Sequence, residues 1–243
     1  MKTRGLSNLR LKVIGLVLVA LSALGTAFVR KGMPADLSQA DFIQLTWSVV
    51  LEAISWIGFP IYAWLTVNGY LHTSNVMKYG VRLFVLGLVA EVPYDLATAG
   101  KALDMSSQNP VLGLLVILIV LYALDRFSAG PRGRSIGMSV FMVIAGVLWL
   151  VGLNIGLRLG LMPGGVVMLV FALIFRYLSH RDNIMNLVGC VVGALAGIFP
   201  AFGLAVLHFR NGEQGSASPA VKWFFYVAYP VVLLVIGLAG LWA

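Results

Sequence analysis

Uncharged apolar runs close to the length of a bilayer crossing recur along this chain, and they constrain its fold more than any other feature. A helix needs roughly 20 mostly apolar residues to cross a hydrocarbon core of about 30 Å. Such runs fall at 13–29, 53–71, 76–97, 110–124, 136–153, 162–178, 184–207 and 223–242. They predict an all-α membrane protein, a bundle of about eight transmembrane helices forming a single domain over residues 1–243. Composition agrees. Apolar residues make up 60% of the chain and charged residues 11%, against roughly 25% charged in an ordinary soluble domain. Mean hydropathy is +0.95. In lipid the backbone must satisfy its own hydrogen bonds, so helices are the expected elements and the bilayer is the first partner.

Two stretches resist a simple reading. Residues 41–52 carry apolar positions at mixed spacing between Asp41 and Glu52. They form either an interfacial helix or an extension of the second span. The basic start up to Lys12 resembles the opening of a signal peptide. The apolar run continues to Val29 without a clear small-residue cleavage site, so a first span that orients the chain is expected. The connectors are short: 126–135 is basic and turn-rich, and 208–219 is polar with Gly and Ser.

The formal charge is +8. In a soluble domain that excess would suggest nucleic acid. Here the basic residues fill the gaps between apolar runs, which is the positive-inside bias of membrane proteins, and no nucleic-acid partner is expected. With eight spans, 11 of the 17 Lys and Arg fall on the N-terminal side, which places both termini in the cytoplasm. Cys190 is the only cysteine and lies within an apolar run, so no internal disulfide is possible.

Ionisable groups inside a span are expensive and mark candidate sites. The third span carries Lys78, Arg82, Glu91 and Asp95. Each pair is four residues apart and shares a helix face. Arg82 and Glu91 lie roughly 13 Å apart along a helix and about half a turn around it, so the pairs cannot meet without a kink, for which Pro93 is placed. Either they line a polar cavity with a basic mouth, or the basic pair snorkels and the carboxylates sit near the opposite interface. Between the second and third spans, Asn68 and His72 add hydrogen-bonding groups. His72 is a candidate base, or simply a solvated interfacial histidine. Asn109 opens the fourth span and is placed to cap it. No His/Asp/Glu cluster shows metal-ligand spacing, and no phosphate-binding loop or nucleophile elbow appears.

Gly58-Phe59-Pro60, Asn68-Gly69-Tyr70, His72-Thr73, Lys78-Tyr79, Arg82-Leu83 and Glu91-Val92-Pro93-Tyr94-Asp95-Leu96 follow one another in span order. With Asn109, Phe225-Tyr226 and Tyr229-Pro230, this series resembles the TraX family. That family comprises polytopic membrane proteins related to membrane acyltransferases, and its best-known member acetylates the N-terminus of F-pilin in conjugation. The resemblance implies a bacterial inner-membrane protein, acetyl-CoA as donor, and a pilin or another membrane protein as acceptor. It implies Asn68, Lys78, Arg82, Glu91, Asp95 and Asn109 as a binding set, and no metal.

The chain departs from the family pattern at four ionisable positions. An Asp-His pair in the first span is Ser22-Ala23 here. An Arg before Phe-Pro is Trp56, a Glu before Gly-Tyr is Asn68, and a His after the last Tyr-Pro is Val232. Acyl transfer to an amine requires a base, and an Asp-oriented His is the natural one. Two readings follow. Catalysis uses other residues, with His72 as the remaining candidate, or the chain is a non-catalytic binding, assembly or carrier subunit. Weak or absent turnover with retained anion binding at Lys78 and Arg82 is the expectation.

Overall fold

The computed structural model describes residues 5–29, 39–127, 132–158, 162–215 and 218–242. Arg30 and Lys31, the middle of the basic connector and part of the Gly-Ser segment lie outside the described residues. The elements are α1 (Asn8–Val29), α2 (Gln39–Ser55), α3 (Gly58–His72), α4 (Val76–Thr98), α5 (Pro110–Phe127) and α6 (Arg132–Gly152). They continue with β1 (Leu157–Arg158), β2 (Met162–Pro163), α7 (Gly164–Leu178), α8 (Asp182–Leu195), α9 (Phe199–His208) and α10 (Pro219–Trp242). β1 and β2 form a two-residue antiparallel ribbon. Pro60, Pro110, Pro200 and Pro219 sit in the first turns of their helices, where the missing N–H costs nothing.

Close helix approach is set by glycine, as expected where lipid offers no hydrophobic drive between helices. Gly15 lies against Tyr62, and Gly25 against Ser48 and Leu51. These contacts run α2 and α3 antiparallel to α1, as one broken crossing from Phe42 to His72. The open question over 41–52 is therefore resolved as extension of the second span. Gly87 receives Leu112, and Gly146 receives Val120, so α4, α5 and α6 alternate in direction. Ile61, Tyr94, Ile117, Phe171 and Phe175 are fully buried between the helices. Phe141, Leu148 and Val235 point outward and are more than 60% exposed, a surface suited to acyl chains and not to water.

The apolar run 184–207 is not one span. α8 and α9 fold back on each other: Gly189 meets Leu204, Gly193 meets Ala201, and Asn186 lies 3.4 Å from His208. At 14 and 10 residues the two helices are roughly 21 and 15 Å long, each too short for a crossing of about 30 Å. The tip is broken by Gly197 and Ile198 at φ +102° and +69°. A β-branched residue rarely holds that backbone, so packing of the tip must enforce it. The base of the hairpin is tied to the start of the chain, where Leu6 N–H donates to Phe209 O at 2.8 Å and Asn8 N–H to Glu213 O at 2.8 Å.

We call the end of the bundle where α1 starts the basal end. α10 also starts there, with Lys12 over the Phe225 ring at 5.8 Å. It runs alongside α4 to the far end, where Gly237 packs on Leu96 and Ala97. The start of α1 and the end of α10 therefore lie at opposite ends, which corrects the expectation of both termini on one side. The error came from counting the hairpin as a crossing. Among the described residues, five helical stretches are long and apolar enough to cross a membrane: Asn8–Ala27, Phe42–His72, Pro110–Phe127, Gly133–Gly152 and Trp223–Leu241. About eight were expected. α4 has the length but carries four charges, and α7, α8 and α9 are short.

Candidate functional site

The residues singled out on α4 separate into two places. At the basal end, Lys78 and Arg82 are exposed, with Arg82 beside the Tyr226 hydroxyl of α10. The Lys78 N–H is capped by Asn75 Oδ1 at 2.9 Å, which starts α4. Asn68 is partly buried. His72 ends α3, is exposed, and its Nδ1 lies 2.8 Å from Asn68 O, within its own turn. Nothing in that geometry aims His72 at a reacting group.

Toward the far end, Asn109 is fully buried and joins α4 to α5. Its Nδ2 donates to Gly87 O at 2.8 Å and to Glu91 Oε2, and its Oδ1 accepts from Val111 N–H at 2.9 Å. Asn109 thus caps α5 while fixing one Glu91 oxygen. Asp95, 1% exposed, accepts from Asp104 N–H at 2.9 Å. Glu91 Oε1 and Asp95 Oδ1 are buried without a hydrogen-bond partner. Asn109, Glu91 and Asp95 are brought together, and Asn68, His72, Lys78 and Arg82 stand apart from them.

A second polar cluster was missed from sequence. The break between α2 and α3 opens a cavity of about 50 Å³ in the bundle. Its walls include Ser22 of α1, Glu52 and Ser55 of α2, Phe59 and Tyr62 of α3, and Pro110 of α5. Glu52 is 4% exposed. Its Oε2 accepts from the Ser22 hydroxyl, and its Oε1 accepts from Trp56 Nε1–H at 3.3 Å. The Ser55 hydroxyl donates to Glu52 O at 2.6 Å and closes the last turn of α2. The α8–α9 tip reaches this break: Gly197 lies against the Trp56 ring, and Gly203 against Ile57 O and Pro60. The signal was available, because Glu52 is the only charged residue between Phe42 and His72.

A third cluster closes the basal end. The Tyr70 hydroxyl donates to Asp125 Oδ2 at 2.6 Å, and Arg176 pairs with Oδ1 of the same carboxylate. Arg210 pairs with Asp182 at 2.5 Å and stacks over the Trp64 ring at 4.4 Å. These contacts join α3, α5, α7 and the hairpin base. Among the described residues, no group of three His, Cys, Asp or Glu side chains is placed to hold a metal ion.

A family model described as TraX protein matches residues 9–239, nearly the whole chain. The chain belongs to the TraX family. No curated protein and no solved structure matches it. Two of the four positions that depart from the family pattern, Ser22 and Trp56, meet at the Glu52 carboxylate. Ala23, next to Ser22 in sequence, is fully buried. Asn68 lies at the basal end, and Val232 is partly buried on α10.

Proposed function

We propose that this TraX-family membrane protein is an acyl-transfer protein that takes acetyl groups from acetyl-CoA and works without the family's Asp-His pair. The observation that carries the reading is the cavity at the α2–α3 break, where hydroxyls and a buried carboxylate meet among mostly apolar walls. Ionisable groups are retained at such depth where function needs them. The acceptor is an amine or hydroxyl of a pilin or another membrane protein.

Orientation follows from charge. With α8 and α9 as a hairpin, Arg210 and Lys222 join the basal end, which then flanks 13 of the 17 Lys and Arg. That bias is steeper than the eight-span count allowed and supports a cytoplasmic basal end; the bacterial inner membrane is carried over from the family. The nucleotide phosphates of CoA are then met by Lys78 and Arg82 on the side where CoA is found.

The test is radiolabelled acetyl-CoA with purified protein and a panel of peptide amines and alcohols. Acetylated product above a protein-free control is expected, and Lys78→Ala with Arg82→Ala should raise the KM for acetyl-CoA. A second reading, a non-catalytic binding or assembly subunit, is favoured by Ala23 and Trp56 standing where the family has His and Arg. Under that reading CoA binds and no product forms.

A further inference from the structure

We propose that Glu52 is the proton acceptor of the transfer step, at the cavity of the α2–α3 break. The proposal rests on the acyl-transfer reading above. Glu52 sits in a 31-residue apolar stretch, at the point where that stretch breaks, with a relative exposure of 4%. A carboxylate at that depth costs several kcal/mol unless it is paired or used. Its hydrogen-bond donors, Ser22 Oγ–H and Trp56 Nε1–H, are neutral. They orient the group without cancelling its charge. An ionised carboxylate offers about four acceptor positions. Two are occupied, which leaves acceptor capacity on a group that lines the cavity.

The cavity is small, about 50 Å³, and its walls are mostly apolar. The first turns of α3 and α5 form parts of the wall through Gly58, Phe59 and Pro110.

The step balances without another reactant. The acceptor's nitrogen or oxygen attacks the thioester carbonyl carbon, and its proton passes to Glu52. The C–S bond breaks, and the thiolate leaves and takes up the proton that Glu52 received. Products are the acetylated acceptor and CoA thiol, with the carboxylate regenerated. Ser22 and Trp56 are positioning residues that act through Glu52.

The experiment uses full-length protein in lipid nanodiscs, acetyl-CoA and peptide-amine acceptors, with kcat and KM measured separately. Glu52→Gln should lower kcat by 10²–10⁴-fold with the KM for acetyl-CoA changed less than about threefold. Glu52→Asp should retain more rate than Glu52→Gln. Glu52→Ala should recover part of its rate with added formate, which fits the space vacated by the side-chain carboxyl. If Glu52→Gln does not fold, a hydrophobic carbodiimide on wild-type protein replaces it: modification of Glu52, located by peptide mass, should track loss of activity. Wild-type turnover that survives Glu52→Gln or stoichiometric Glu52 modification overturns the assignment and leaves acyl transfer standing. Absence of any wild-type turnover overturns both.

Discussion

Asn109 is the residue whose loss should cost this bundle most for its size. Asn109→Ala removes the acceptor that caps Val111 N–H and two donations from Nδ2, to Gly87 O and Glu91 Oε2. Loss of an N-cap typically costs about 1 kcal/mol. Side-chain hydrogen bonds between membrane helices average about 0.6 kcal/mol, with an upper value near 1.7. Glu91 Oε2 keeps the Asn109 backbone N–H at 3.4 Å, so no acceptor is left wholly unpaired. Together these predict a loss of about 2–4 kcal/mol. Asn109→Asp separates the parts, because it keeps the capping oxygen but removes the Nδ2 donor and places a second carboxylate against Glu91. It should be at least as destabilising as alanine, although it is the closer isostere. Equilibrium unfolding in detergent by denaturing-surfactant titration reads both variants. If Asn109→Asp is as stable as wild type, the Asn109–Glu91 contact does not hold α4 to α5.

Two further outcomes follow from the hairpin. An alkaline phosphatase fused after Ala243 should be active and a fluorescent protein fused there dark; the reverse pattern would mean that 184–207 crosses the membrane. Gly203→Val should loosen the hairpin, because its Cβ would overlap Ile57 O and Pro60, neither of which can move aside. Overpacking of this kind costs typically 1–3 kcal/mol. The sole cysteine, Cys190 on α8, should then react faster with a membrane-permeant maleimide, whereas unchanged labelling and stability would refute the packing.

What the sequence made legible depended on how local the physics is. Apolar runs announce helices and lipid, because each segment must satisfy its own backbone. The helical bundle and its family were therefore readable before any coordinates. Topology was not, because hydropathy averages over a break. The run 184–207 is as apolar as a true span, and only Gly197 with Pro200 hinted at reversal. Two basic residues then fell on the wrong side of the count, which reversed the C-terminus and diluted the charge bias.

The site shows the same limit from the other direction. α4 concentrates four charges on one helix, so it attracted the functional reading. Yet His72 bonds within its own turn, and the basic pair lies at the bundle surface. Glu52 was passed over because residues 41–52 read equally as an interfacial helix, where a carboxylate needs no explanation, and as an extension of the second span. Its meaning appears only when α1 is laid antiparallel along α2 and Ser22 arrives opposite it, 30 positions away in sequence. Ser22 alone reads as the loss of an acid, and Trp56 alone as the loss of a base-pairing cation. Set around Glu52, they are the two donors that hold a carboxylate at the break of a membrane helix. The neutral residues at those two positions and the carboxylate four residues before Trp56 then form one arrangement, and the cavity beside it is where its chemistry has to be sought.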